Sequence, residues 1–187
     1  MNLPEMIVKL SGDPFNPELN FNVAKEYLSL NQTASAVSFF LRCAEYGGPN
    51  NDLVYYSLCA IAQCFNDQQG REYSVTNCLL QAIEYDESRP EAWFLLAQFH
   101  ERAGNWQESY TFARVGHNWA MCDPDDSPIE LGYYGPYCLE FQIAVAAWWV
   151  GRREESIRVL RALSKTDMHP SYTLAVKNNL EKIDVVL

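Results

Sequence analysis

The sequence is short of positive charge, and this shortage excludes several classes of partner. Lys and Arg together number 14 against 24 Asp and Glu, which gives a formal net charge of −10 over 187 residues. Nucleic acid backbones and anionic membrane surfaces are bound by clustered Lys and Arg. The longest apolar runs, such as residues 143–150, are far shorter than the roughly 20 residues that cross a bilayer. We therefore expect neither nucleic acid nor a membrane as a partner.

The beginning of the sequence, MNLPEMIVKL, lacks a basic stretch followed by a long apolar core. A secretory signal requires both features. Hydrophobic residues make up 48% of the sequence and charged residues 20%, so the composition is that of a folded protein. We expect a folded protein in the cytoplasm.

The cysteines lack the spacing of a metal or redox site. No two of them form C-x-x-C, and the three histidines are far apart, whereas zinc needs closely spaced Cys or His. A reducing compartment keeps such residues as small, buried thiols. We therefore predict no metal and no cofactor. The cysteines are Cys43, Cys59, Cys64, Cys78, Cys122 and Cys138.

Catalytic motifs are also missing: the sequence has no G-x-S-x-G, P-loop or H-E-x-x-H string. The string from Cys122 to Asp126 could suggest a metal site, but no apolar strand leads into it, and we interpret it as a solvated acidic turn. His100 and Glu101 are adjacent on a predicted helix and so do not face each other. We therefore interpret His100 as a packing residue and predict no catalytic residue.

What the sequence does contain is helical periodicity. Between residues 90 and 113, apolar residues recur every three or four positions on both sides of Gly104, which predicts a helix, a tight turn and a second helix. No segment alternates with a period of two, so we expect almost no strand. A small residue recurs in the first helix of each such unit, at Ala24, Ala62, Ala97 and Ala144.

These alanines define repeats at about 16–46, 52–86, 89–118 and 137–165, separated by steps of 38, 35 and 47 residues. The long last step places an insertion at about 119–136, whose Pro, Asp and Gly cannot continue a helix. Residues 170–185 predict a capping helix, and LPEMIVKL predicts a short helix near the beginning. We treat residues 1–187 as one domain.

The repeats resemble the tetratricopeptide repeat (TPR) family. The third copy carries the resemblance best, while Asn31 stands where Gly is usual in the first copy and the fourth copy lacks the usual aromatic residue. The resemblance implies an all-α, right-handed superhelical array of about four TPR-like hairpins with a terminal capping helix. The matching residues of the third copy are Ala92, Trp93, Leu96, Ala97, Gly104, Asn105, Trp106 and Glu108.

In the TPR family the first helix of each hairpin lines a concave groove that binds partners. Aromatic and amide residues dominate this predicted groove, and Lys25 is nearly its only cation, so a clamp for a terminal carboxylate is not expected. The aromatic residues either anchor a partner or pack on the insertion or an end helix, and the sequence leaves both possibilities open. The groove residues implied by the resemblance are Phe21, Lys25, Tyr56, Gln63, Asn66, Phe94, Gln98, Glu101, Phe141 and Trp148.

A narrower resemblance links the third and fourth copies to helical-repeat regions attached to bacterial and phage-encoded glycosyltransferases. It depends on the Tyr-rich segment before a helix that ends in Trp148, Trp149, Gly151 and Arg152. We interpret the chain as a non-catalytic scaffold that binds a protein or peptide. The alternatives are a module that positions a glycan or acceptor for a glycosyltransferase, or a subunit of a larger assembly such as a phage particle, with self-association open.

Overall fold

The computed structural model describes residues 2–119 and 127–186. Within these ranges the chain folds into ten α-helices and no strand. The helices form two compact units: the first contains the residues up to Glu87 together with Ser127–Leu131, and the second contains the other described residues. The single domain predicted for residues 1–187 is therefore described below as two units.

The first unit consists of two helix-turn-helix hairpins and one additional helix. Helix α2 packs against α3, and α4 packs against α5, while α3 also packs against α4 and α1 covers part of α2. Asn2 and Glu5 form a reciprocal capping box at the start of α1, which is the short helix predicted from LPEMIVKL. The bounds are α1 Leu3–Gly12, α2 Pro17–Ser29, α3 Thr33–Tyr46, α4 Asp52–Asn66 and α5 Glu72–Tyr85.

The second unit repeats this arrangement. Helices α6 and α7 form one hairpin and α8 and α9 form another, with α7 packed against α8 and the last helix, α10, packed against α9 and α8. Proline begins α6, α8 and α10, where its missing N–H leaves no bond unmade and its fixed φ suits the first turn. The bounds are α6 Pro90–Arg102, α7 Trp106–His117, α8 Pro136–Trp149, α9 Arg153–Leu163 and α10 Pro170–Val186.

A residue in the left-handed region closes the first helix of every hairpin. Gly70, Gly104 and Gly151 have φ between 73° and 83°, and Asn31, in the position where Gly is usual, has φ 57°. Asn tolerates this conformation better than other residues with a side chain. In the first hairpin the N–H of Gln32 then bonds back to the carbonyl five residues earlier, as in a Schellman motif. These turns make each pair of helices a tight hairpin.

The repeated small residues allow the helices to approach closely. Ala24, Ala62, Ala97 and Ala144 are at most 1% exposed, as their periodic spacing predicts. At the α6–α7 contact, a Cβ added to Gly116 would lie 2.4 Å from the Cβ of Trp93, so only glycine fits there. Small residues are thus required by the packing distance between neighbouring helices.

The cysteine side chains belong to the interior. Cys43, Cys59, Cys64 and Cys138 are buried and Cys78 is half-buried, all as free thiols. Burial, aided by the negative charge of Asp67, raises the pKa of the Cys64 thiol to about 11. Such thiols are poor nucleophiles at neutral pH because the thiolate is the reactive form.

Candidate binding face on the first helices

In the first unit, the predicted groove residues lie on α2 and α4, and we call this surface the α2–α4 face: Phe21, Lys25, Tyr56, Gln63 and Asn66. Its aromatic members are not open to solvent. Phe21 is 2% exposed and packs edge-on against Phe40, with ring centroids 5.5 Å apart. Tyr56 is 3% exposed and packs edge-on against Tyr55. Packing against the fold removes these two rings from water.

The polar members of the α2–α4 face bind a segment of the insertion. Lys25 Nζ donates to the carbonyl oxygen of Pro128 at 2.6 Å, and Gln63 Nε2 donates to the carbonyl oxygen of Leu131 at 3.3 Å. The ammonium of Lys25 also lies 5.8 Å from the centre of the Phe21 ring. We call Ser127–Leu131 the docked segment, since it belongs to the first unit although it begins 42 residues after Tyr85, the last residue of α5.

The docked segment is irregular, and two of its main-chain carbonyls accept hydrogen bonds from the α2–α4 face. Pro128 and Ile129 form a bend, and the Ser127 hydroxyl donates to the carbonyl of Ile129. Leu131 is the segment's buried side chain, at 4% exposure, while Glu130 is exposed. Asn66, at the end of α4, is half-buried. The α2–α4 face therefore binds a short non-helical polypeptide by two carbonyls three residues apart.

In the second unit, the predicted groove residues lie on α6 and α8: Phe94, Gln98, Glu101, Phe141 and Trp148. Phe94 is 1% exposed and contacts Tyr133 of the insertion, with ring centroids 5.6 Å apart. Phe141 packs edge-on against Tyr172 of the end helix α10 at 5.4 Å. Of the two possibilities left open by the sequence, packing on the insertion or an end helix is the one observed at Phe94 and Phe141.

The remaining members of this second group are partly covered. Trp148 is half-buried, with the guanidinium of Arg153 5.0 Å from its ring centre. Gln98 Oε1 accepts from Arg102 Nη2 at 2.8 Å. Burial raises the pKa of the Glu101 carboxyl, although a hydrogen bond from Gln142 and the charge of Arg102 both oppose this shift. The side chain of Gln142 is buried, and its Oε1 has no hydrogen-bond partner.

The histidine that the sequence singled out packs against an aromatic ring. The His100 ring stacks on Phe112 with centroids 5.3 Å apart, and burial lowers its pKa. This is the packing position predicted for it. Within the described residues, no group of three or more His, Cys, Asp or Glu is placed to hold a metal ion. The acidic turn from Cys122 to Asp126 lies outside the described residues.

Sequence reasoning missed two features of these surfaces. The first is where the docked segment binds, because the apolar residues of the insertion, Ile129 and Leu131 among them, do not specify which helices it contacts. The second is the stack of Trp149 on Trp106, with centroids 5.1 Å apart and ring planes 18° apart. Trp149 remains 61% exposed.

In the described part of the chain, no helix combines the length and the apolar character needed to cross a bilayer. This finding concerns the helices only.

Comparisons with known proteins place the fold. No family model matches the sequence, and no curated protein matches it. The structure is similar to that of MamA (TM-score 0.64, 14% identity, 96% of this chain and 89% of MamA covered). It is also similar to YrrB, a TPR protein with an unusual peptide-binding site (TM-score 0.63, 16% identity, 94% of this chain and 81% of YrrB covered). A third similar structure is PilW, a widely conserved type IV pilus biogenesis factor (TM-score 0.63, 16% identity, 84% of this chain and 65% of PilW covered). At these identities the likeness shows the fold, which is an all-α array of TPR-like helical hairpins.

Proposed function

We propose that this chain is a non-catalytic scaffold that binds a polypeptide segment of a partner protein on the α2–α4 face. The observation that carries this proposal is the pair of hydrogen bonds from Lys25 and Gln63 to main-chain carbonyls of the docked segment. The likeness to YrrB, a TPR protein with a peptide-binding site, supports the same function. Helical-repeat arrays commonly present such binding surfaces.

The chemistry of the face favours a polypeptide over a small metabolite. An ammonium and a side-chain amide donate to carbonyl oxygens, which every polypeptide carries along its main chain. Leu131 adds a buried apolar side chain, and such anchors supply much of the affinity in protein interfaces. Backbone bonds would therefore bind the partner, and one apolar pocket would select it.

A peptide-display selection against the folded chain tests this proposal. Peptides that emerge are synthesised with a fluorophore, and their Kd is measured by anisotropy with and without Gln63→Ala. Both chains carry Gly and Ser in place of residues 127–131, because the docked segment uses the same donor. The loss of one hydrogen bond, about 1 kcal/mol, predicts roughly fivefold weaker binding. Gln81→Ala is the matched control, because Gln81 is an exposed glutamine on α5 of the same unit. Failure to select any peptide, or equal Kd values for the two variants, would refute the proposal.

Glycan positioning is a second candidate, favoured by the exposed Trp149 ring on Trp106. An exposed indole offers an apolar face with an N–H at its edge, on which a sugar ring can pack. The neighbouring structures described above do not support a glycosyltransferase link, which stays a prediction from the sequence. Calorimetric titration with nucleotide sugars and oligosaccharides distinguishes the two candidate functions. Heat of binding that is lost in Trp149→Ala would favour glycan positioning, and the absence of heat would favour polypeptide binding.

The remaining sequence predictions also await a test. Light scattering after size-exclusion chromatography would reveal self-association, which a subunit of a phage particle or another large assembly requires and a monomeric adaptor does not. The cytoplasmic location is proposed from the sequence alone, and fractionation of the native host tests it.

A further inference from the structure

The docked segment occupies the surface to which the proposed function assigns a partner. We propose that Ser127–Leu131 is an internal competitor, which a partner polypeptide displaces from the α2–α4 face. The partner would present the same chemistry. One of its main-chain carbonyls would accept from Lys25, and three residues later an apolar residue would accept from Gln63 through its own main-chain carbonyl. This inference rests on the proposed function and adds its regulation and the class of its ligand.

Another polypeptide can supply the contacts of the docked segment. The bonds from Lys25 and Gln63 end on main-chain carbonyls, which do not depend on the side chains of the segment. The buried side chain is Leu131, and a leucine at that register in a partner fills the same space. The surface therefore cannot distinguish the docked segment from a partner of similar sequence, except by its local concentration.

The docked segment is not part of a hairpin. It is irregular, it lies between Trp119 and α8 in the sequence, and Glu130 is exposed within it. Pro128 has no N–H, so no donor there loses a partner when the segment leaves the face. Departure of the segment leaves the α2–α3 and α4–α5 hairpins with their own turns and contacts.

The spacing of the two bonded carbonyls identifies the ligand class. The carbonyls bound by Lys25 and Gln63 belong to the first and last residues of Pro128-Ile129-Glu130-Leu131. The partner would thus carry Pro-x-x-Leu, or a related pattern with another apolar residue at the last position. A non-helical segment of this length fits, because the two donors lie on different helices.

The test uses a fluorescein-labelled peptide with the sequence SPIELGY, which reproduces residues 127–133. Its Kd is measured by anisotropy for the full wild-type chain and for a full chain in which residues 127–131 are replaced by Gly and Ser. A segment docked nine-tenths of the time lowers the apparent affinity about tenfold. We expect the replaced chain to bind at least tenfold more tightly, and Gln63→Ala in that background to weaken binding again. A peptide with Ala at the Leu131 position is the control and should bind weakly.

The outcomes separate this inference from the proposed function. Equal affinity of the wild-type and replaced chains overturns the competitor and leaves a scaffold that binds peptides. If display-selected peptides bind but SPIELGY does not, the ligand class is wrong. If no peptide binds even the replaced chain, the proposed function fails, and this inference fails with it. Circular dichroism verifies folding, and if the replaced chain does not fold, Leu131→Ala in the full chain must bind SPIELGY more tightly than the wild type.

Discussion

Replacement of Lys25 by methionine isolates the strongest contact of the docked segment. The ammonium donates to the carbonyl of Pro128 at 2.6 Å, a charge-assisted bond in a partly buried setting. Methionine keeps an unbranched chain near the Phe21 ring but cannot donate. The substitution therefore removes the bond while largely preserving the packing beneath it.

The magnitude follows from this contact. Hydrogen bonds to charged groups contribute about 1.5–3 kcal/mol, and we take about 2 kcal/mol for this one. Since 1.4 kcal/mol is a factor of ten, the ratio of released to docked molecules rises about 30-fold. Lys25 has no other role in the turns or in the pairing of α2 with α3 described above, so the free energy of unfolding in urea should fall by about 2 kcal/mol at most, the contribution of this one bond.

Cleavage after Glu130 by a Glu-specific protease under native conditions measures the released fraction. When the segment rebinds faster than it is cleaved, the cleavage rate is proportional to the released population. Lys9→Met is the control, because it removes the same charge from an exposed lysine on α1. Equal cleavage rates at Glu130 for Lys25→Met and Lys9→Met would show that the bond to Pro128 does not hold the segment.

Two further predictions concern the second unit, with Gly12→Ala in α1 as a control for the first. Gly116→Ala forces a Cβ to within 2.4 Å of Trp93 and should lower the free energy of unfolding in urea by about 2 kcal/mol. Gly12→Ala should not lower it, because no atom lies within 4 Å of the added Cβ. An unchanged free energy of unfolding for Gly116→Ala would contradict the close packing of α6 on α7. Burial raises the pKa of the Glu101 carboxyl in the folded state, so the folded state binds the carboxyl proton more tightly than the unfolded chain does. The free energy of unfolding therefore falls as the pH rises from the ordinary pKa of Glu through the raised pKa of Glu101. Glu101→Gln should therefore melt at a higher temperature than the wild type at pH 7, with the difference shrinking toward about pH 4, and a constant difference across that range would disprove the assignment.

The sequence predicted the hairpins well because local physics determines them. The buried alanines and the glycine turns recur where two helices must approach and reverse, so their spacing is visible along the chain. Asn31 was the one departure from the glycine pattern, and its left-handed conformation shows that the position, not the residue type, is retained.

The candidate site was less predictable because its contacts are distant in the sequence. Lys25 and Pro128 are 103 residues apart, and no periodicity marks a segment bound through its backbone. Periodicity likewise places Phe21 and Phe94 on a helix face but does not say what covers that face. The sequence therefore predicted a set of residues for one helix face, and left open whether a partner, the insertion or an end helix covers them.

The most direct test of the central claim is a crystal structure of the chain with residues 127–131 replaced, in complex with SPIELGY. The account predicts the peptide on the α2–α4 face, with carbonyls three residues apart accepting from Lys25 Nζ and Gln63 Nε2. A peptide bound elsewhere, or bound without either of these hydrogen bonds, would contradict it.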